Sequence, residues 1–165
     1  MTSDFLKKQL EESRFQHTLD YVHEHAGGIK KLGVPELLHL NQMLNHTTED
    51  TWRTQPVEIS LRTGKKRSFK MITNSIEEAR TVLANAHDIV GQGKLIDAAT
   101  YLYSHLVMSH FFKEANRRTA VVATYWLVRE AGKDLDARVL VNTPLGDLSE
   151  DSELKKLRET ITSMV

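Results

Sequence analysis

The chain has 165 residues, 40% of them hydrophobic, enough to bury one core without a covalent staple. Its 22 basic and 22 acidic side chains cancel, so no global field favours nucleic acid; the clusters Lys30-Lys31 and Lys65-Lys66-Arg67 read as solvated charge. The absence of cysteine excludes disulfides, a thiol nucleophile and cysteine-ligated metals, and is compatible with a reducing cytoplasm.

In chain order, the N-terminus carries charge early and has no extended apolar core, so it does not read as a signal peptide. Residues 4–25 place Phe5, Leu6, Leu10, Phe15, Leu19 and Val22 at helical spacing and end at Gly27-Gly28. Pro35 opens a second helix to His46, with Leu37, Leu38, Leu40, Met43 and Leu44 inward. Val57, Ile59 and Leu61 then alternate with Glu58, Ser60 and Arg62 at period two, Arg62-Thr63-Gly64-Lys65 supplies a turn, and Lys66 to Met71 returns, which predicts a β-hairpin.

Ser75-Ile76-Glu77-Glu78 has capping-box form and starts a helix running to Gly91. Ala98 to Met108 and Ala120 to Val128 are two further apolar helices, the second stopped by Gly132, with Tyr101, Tyr103, Tyr125 and Trp126 read as core. The run Ala120 to Val128 is far shorter than the ~20 residues of a spanning helix, so a soluble cytoplasmic protein is expected. Gly132 to Gly146 reads as the most loop-like region, and Asp147-Leu148-Ser149-Glu150 opens a last helix over 149–163. The expected fold is mainly α, with about six helices and one small hairpin, in a single domain over 1–165.

The most informative segment is His110-Phe111-Phe112-Lys113-Glu114-Ala115-Asn116-Arg117-Arg118-Thr119-Ala120, a polar break between two apolar helices. Where the second helix begins, backbone N–H groups around Asn116 to Thr119 have no intrahelical acceptor and favour an anion such as phosphate. Arg117 and Arg118 add forked guanidinium donors suited to phosphate oxygens. Glu114 would repel phosphate unless a hard cation such as Mg²⁺ lay between them. His110 titrates near neutral pH and could take a proton from a hydroxyl. Singly, each has an ordinary reading, a helix-end histidine or a solvated arginine; jointly they suggest transfer from a nucleotide. His105 and His110 are off the spacing that would pair them on zinc.

This segment resembles the signature of the Fic/Doc (Fido) family, His-x-Phe-x-(Asp/Glu)-(Gly/Ala)-Asn-(Gly/Lys)-Arg, at His110, Phe112, Glu114, Ala115, Asn116, Arg117 and Arg118. Trp52-Arg53-Thr54-Gln55-Pro56-Val57-Glu58-Ile59 is similar to the arginine-plus-strand segment opening the family's flap, and by order of elements the likeness covers about residues 30–132. The resemblance implies a Fic-like helical bundle with a hairpin flap, His110 as general base, Glu114 as the Mg²⁺ ligand, and Asn116 and Arg118, with Ala115, Arg117 and Thr119, around the phosphates of ATP. It implies Phe112 as a core anchor, Arg53 as support, and Val57, Glu58, Ile59, Ser60 and Leu61 as the flap strand along which a protein substrate docks. The activity implied is transfer of AMP from ATP to a protein hydroxyl.

Ala115-Asn116-Arg117-Arg118-Thr119-Ala120 is nevertheless similar to the Doc branch, which moves the terminal phosphate, and Val121 stands where many AMP transferases carry a basic residue. Residue 117 is the expected discriminator, with its side chain crowding the usual nucleotide pose. The alternatives are a Doc-like phosphotransferase and an inactive Fic-fold binding module. Family members are often silenced by a Ser/Thr-x-x-x-Glu-(Gly/Asn) helix; Ser149 to Leu154 matches only partly and also fits an ordinary acidic first turn. Restraint is thus left to a separate antitoxin-like partner, to self-association in a homo-oligomer, or to nothing.

Overall fold

The computed structural model describes residues 2–54, 57–60, 66–69 and 75–165. Among the described residues are seven helices and two paired strands: α1 (Ser3–His25), α2 (Val34–Asn45), β1 (Val57–Ser60), β2 (Lys66–Phe69), α3 (Ser75–Gly91), α4 (Leu95–Ser109), α5 (Asn116–Glu130), α6 (Ala137–Asn142) and α7 (Asp151–Met164). The mainly helical expectation holds. The strands pair antiparallel in the register Val57↔Phe69, Glu58↔Ser68, Ile59↔Arg67 and Ser60↔Lys66. Leu61 and the turn at 62–65 lie outside the described residues.

α5 is the axis of the fold. Every residue from Thr119 to Val128 is buried, because α1, α2, α4 and α6 all pack against it. A helix apolar nearly all round has no solvent face to keep, and the other helices supply one-sided stripes to cover it. In α1 that stripe is Phe15, Thr18, Leu19 and Val22; in α2 it is Leu37, Leu40, Asn41 and Leu44, both at the i, i+3, i+4, i+7 spacing. α7 packs on α4 through Leu157 and Ile161, and Arg158 pairs with Asp97 across that contact at 2.7 Å. No described helix is long and apolar enough to cross a membrane.

Three expectations change. The region from Gly132 to Gly146 is not simply a loop: Asp136 caps α6, its carboxylate accepting from Val139 N–H at 3.2 Å. One and a half turns give too little periodicity to stand out in a sequence. Phe5, Leu6 and Leu10 keep helical spacing in α1 but are about half exposed, because the helix begins before there is a neighbour to cover it. Tyr103, Tyr125 and Trp126 are buried as expected, whereas Tyr101 is only half-buried and accepts from Asn85 Nδ2 at 3.0 Å.

The α1–α2 connection is fixed by charge. The Glu130 carboxylate, at the end of α5, accepts from Leu32 N–H at 2.9 Å and meets His87 Nε2 of α3 at 3.0 Å. His87 Nδ1 faces the Leu83 carbonyl at 3.0 Å, so both ring nitrogens point at acceptors, the arrangement an imidazolium satisfies. The bond to Glu130 accordingly raises the His87 pKa, against an opposing effect of burial. A raised folded-state pKa gives stability that is complete below the unfolded value of ~6.5 and lost as pH rises through the folded value. Glu130→Gln is therefore expected to lower unfolding free energy by about 1–3 kcal/mol at pH 6, with the deficit shrinking toward pH 9 in denaturant titrations.

Candidate functional site

α4 stops at His110 because that residue turns left-handed, at φ 52° and ψ 53°. Five residues later Ala115 does the same, at φ 60° and ψ 31°, and caps the start of α5. Each left-handed turn costs a residue with a Cβ roughly 1–2 kcal/mol, so the loop between them must be held by its surroundings. Three sets of contacts hold it.

The first is a short antiparallel ladder with residues 51–53. Arg53 N–H donates to Phe111 O at 2.7 Å, Lys113 N–H donates to Thr51 O at 2.9 Å, and Trp52 bridges Phe112. The Trp52 indole stacks on the Phe112 ring with centroids 4.6 Å apart, and Phe111 and Phe112 are both buried. Phe112 thus anchors the loop in the core. Arg53, itself buried, also donates through Nε to His110 O at 2.7 Å.

The second is the Asn116 side chain. Its Oδ1 accepts from Phe112 N–H at 2.9 Å and its Nδ2 donates to Phe112 O at 2.8 Å, so the amide pairs with both backbone polar groups of one residue as a neighbouring strand would. Asn116 therefore builds the loop with the amide that the resemblance assigned to phosphate. The third is Asn41 of α2, wholly buried, whose Nδ2 donates to Glu114 O and to Thr119 Oγ1, both at 2.9 Å. Asn41 escaped the sequence reading, although a polar residue inside the stripe Leu37, Leu40, Leu44 was a readable signal.

With the loop so held, α5 presents an uncapped N-terminus. No side chain caps it, and Thr119 N–H is the first to find a helical acceptor, Ala115 O at 2.9 Å. The N–H groups of Asn116, Arg117 and Arg118 precede it at the positive end of the helix dipole. Arg118 Nη1 is buried and has no hydrogen-bond partner among the described residues. A buried guanidinium N–H without an acceptor is costly, and an anion at this helix end would relieve it. No described ion pair reaches Arg118, and Glu153 of the partly matching 149–154 segment pairs instead with Lys156 at 3.2 Å. That segment forms the acidic first turn of α7.

Arg117 makes a different set of contacts. Its guanidinium turns away from the helix end, donating to Tyr103 Oη and Leu140 O, each at 3.3 Å, and to Thr143 O. Successive residues on a helix point about 100° apart, and Arg117 is directed to the end of α6, which it caps. It does not crowd the helix end. Glu114 stands exposed on the loop, with its main-chain oxygen held by Asn41 and its carboxylate toward solvent. No group of three His, Asp or Glu residues suited to a metal occurs among the described residues, so any cation here would take its remaining ligands from a bound phosphate and water. His110 is half-buried, and its pKa is lowered first by that burial and then by the Arg53 charge, which keeps the imidazole neutral at pH 7.

The comparisons agree with this architecture. The chain is similar to a Fic domain containing signaling protein from Bacteroides thetaiotaomicron, with a TM-score of 0.75 at 14% identity over 96% of this chain and 69% of the other. It is similar to IbpAFic2, whose structure was determined covalently tethered to Cdc42, with a TM-score of 0.65 at 15% identity over 96% of this chain and 58% of that one. It is also similar to the N-terminal FIC domain of Bep8, a VirB-translocated effector from Bartonella sp. 1-1C, with a TM-score of 0.63 at 15% identity over 98% and 86% of the two chains. At these identities the likeness concerns the fold. No curated protein sequence matches the chain. The Fic/DOC family profile, however, matches residues 31–128, more than half the chain and all of the motif loop, so this protein belongs to the Fic/DOC family.

Proposed function

We propose that this chain transfers AMP from ATP to a hydroxyl side chain of a protein target, acting as one unit over residues 1–165. The observation that carries the reading is the buried Nη1 of Arg118, without a hydrogen-bond partner among the described residues, in the uncapped first turn of α5, across the held loop from a neutral His110. A preformed anion cradle beside a base suits phosphorus chemistry, in which positioning and charge stabilisation do most of the work.

In this reading Arg118 and the N–H groups at 116–118 bind the ATP phosphates. Glu114 is the carboxylate that would hold Mg²⁺, which when bound would offset phosphate charge. His110 accepts the proton of the target hydroxyl as its oxygen bonds to the α-phosphorus, and pyrophosphate leaves with the electron pair of the broken P–O bond. The flap strand at Val57–Ser60 supplies a backbone edge for an extended target segment. The Cdc42 tethered to IbpAFic2 is a precedent within this fold for a protein target. Restraint is assigned to a separate inhibitory partner, to self-association or to nothing, since Glu153 of the 149–154 segment pairs with Lys156.

A second reading, transfer of the terminal phosphate, is favoured by the run Ala115-Asn116-Arg117-Arg118-Thr119-Ala120. Arg117 no longer supports it directly, because its guanidinium is spent on Tyr103 and α6.

The test is label transfer from α-labelled and γ-labelled ATP with Mg²⁺, adding purified protein to a bacterial and a eukaryotic lysate with His110→Ala as control. His110-dependent label from α-labelled ATP alone is expected; label from γ-labelled ATP alone would move the assignment to the Doc-like reaction, and none from either would favour a binding module. The pH profile follows from the lowered His110 pKa: activity should hold at neutral pH and fall only as pH drops through a value below ~6.5. Arg117→Gly is expected to leave the transferred group unchanged while costing about 1–3 kcal/mol of stability, read by denaturant unfolding, with faster amide exchange in α6.

A further inference from the structure

Asn41 lies on α2, 73 residues before Glu114 in sequence, yet it is wholly buried against the motif loop. Its two amide hydrogens go to two different places: one to the main-chain oxygen of Glu114, just before the left-handed Ala115, and one to the hydroxyl of Thr119, one turn into α5. The Glu114 carbonyl can only accept, so the nitrogen must face the loop and the oxygen must face α2, where Asn45 Nδ2 donates to Asn41 Oδ1 at 2.9 Å. Asn45 Nδ2 also lies 3.5 Å from Glu114 O. Three of the four hydrogen-bonding positions of Asn41 are thereby used, and its orientation is fixed from both sides.

We infer that Asn41 is a positioning residue for the anion site: by joining Glu114 O to Thr119 Oγ1 it clamps the left-handed turn at Ala115 and fixes where the N-terminus of α5 points. The contacts with residues 51–53 and the Asn116 ring secure the loop at residues 110–113 and 116. Between them lies the Glu114–Ala115 peptide, and Asn41 is the described side chain that binds its oxygen most closely. That peptide sets both the exit direction of the Glu114 carboxylate and the aim of the first free N–H groups of α5. Loss of the clamp therefore frees the groups that the proposed chemistry requires to be rigid, while the packing of α2 through Leu37, Leu40 and Leu44 stays in place. The functional part of this role rests on the nucleotide reading above; the positioning part does not.

The experiment compares the full chain with Asn41→Ala, Thr119→Val, Thr119→Ser and the distant control Thr18→Ala, whose buried hydroxyl serves only Arg14 O within α1. Amide hydrogen exchange is followed at Phe112, Lys113 and Thr119, and Mg²⁺·ATP binding by calorimetry. Asn41→Ala and Thr119→Val should speed exchange at these loop amides by roughly tenfold or more relative to α7, and raise the Mg²⁺·ATP Kd roughly tenfold. Thr119→Ser, which keeps the acceptor for Asn41, should leave loop exchange unchanged, and Thr18→Ala should change neither exchange nor Kd. Loop protection that is unchanged, or that falls equally in α7, would overturn the inference. Should Asn41→Ala fail to fold, Thr119→Val decides alone. Should the unaltered chain take up no Mg²⁺·ATP, the nucleotide reading fails and the exchange pattern by itself judges the positioning role.

Discussion

The chemistry proposed for this chain depends on one side chain pairing with the backbone of one residue: the Asn116 amide against the N–H and C=O of Phe112. That ring holds the motif loop to the first residue of α5, so that a helix buried along nearly its whole length still begins at a fixed, uncapped end. The entropic cost of ordering a loop with two left-handed residues is met by contacts from distant parts of the chain, residues 51–53 on one side and Asn41 on the other. Because Arg53 touches both the His110 carbonyl and the Phe111 carbonyl, the segment that leads into the flap is bonded directly to the loop bearing the base.

Burial shapes the electrostatics in two directions. At His110 it disfavours the imidazolium, and the adjacent Arg53 charge adds to the effect, leaving a neutral ring able to accept a proton. At His87 the carboxylate of Glu130 outweighs burial and favours the charged ring. The two histidines thus shift in opposite directions, His110 downward first by burial and then by the Arg53 charge, His87 upward first through its bond to Glu130. Arg118 completes the picture as a permanent cation with a buried N–H that has no acceptor among the described residues, which is poor for stability and suited to binding an anion.

Much of this was legible in the sequence, and the failures have physical causes. The helix–break–helix layout around residues 110–120 was readable because glycine-free apolar runs flank a dense polar segment, and the period-two alternation from Val57 announced the strand that forms. α6 was missed because six residues are too few to display a period. The direction of Arg117 was missed because spacing tells which residues are neighbours in sequence, not which acceptors a long side chain will find; Tyr103 and the end of α6 became available only in three dimensions. Asn41 was missed for the same reason, as its partners lie more than seventy residues away. The Asn116 role lay between: its position in the motif was plain, but its closure onto Phe112 needed the left-handed turn at Ala115, which an alanine does not advertise.

The central claim, that the start of α5 is a phosphate cradle completed by Arg118, is tested most directly by a crystal structure of the chain with Mg²⁺ and a non-hydrolysable ATP analogue. The account predicts phosphate oxygens within hydrogen-bonding distance of Arg118 Nη1 and of the N–H groups at residues 116–118, with Asn116 still closed on Phe112 and Arg117 still on α6. Nucleotide density elsewhere on the molecule, with Arg118 Nη1 still lacking an acceptor, would contradict it.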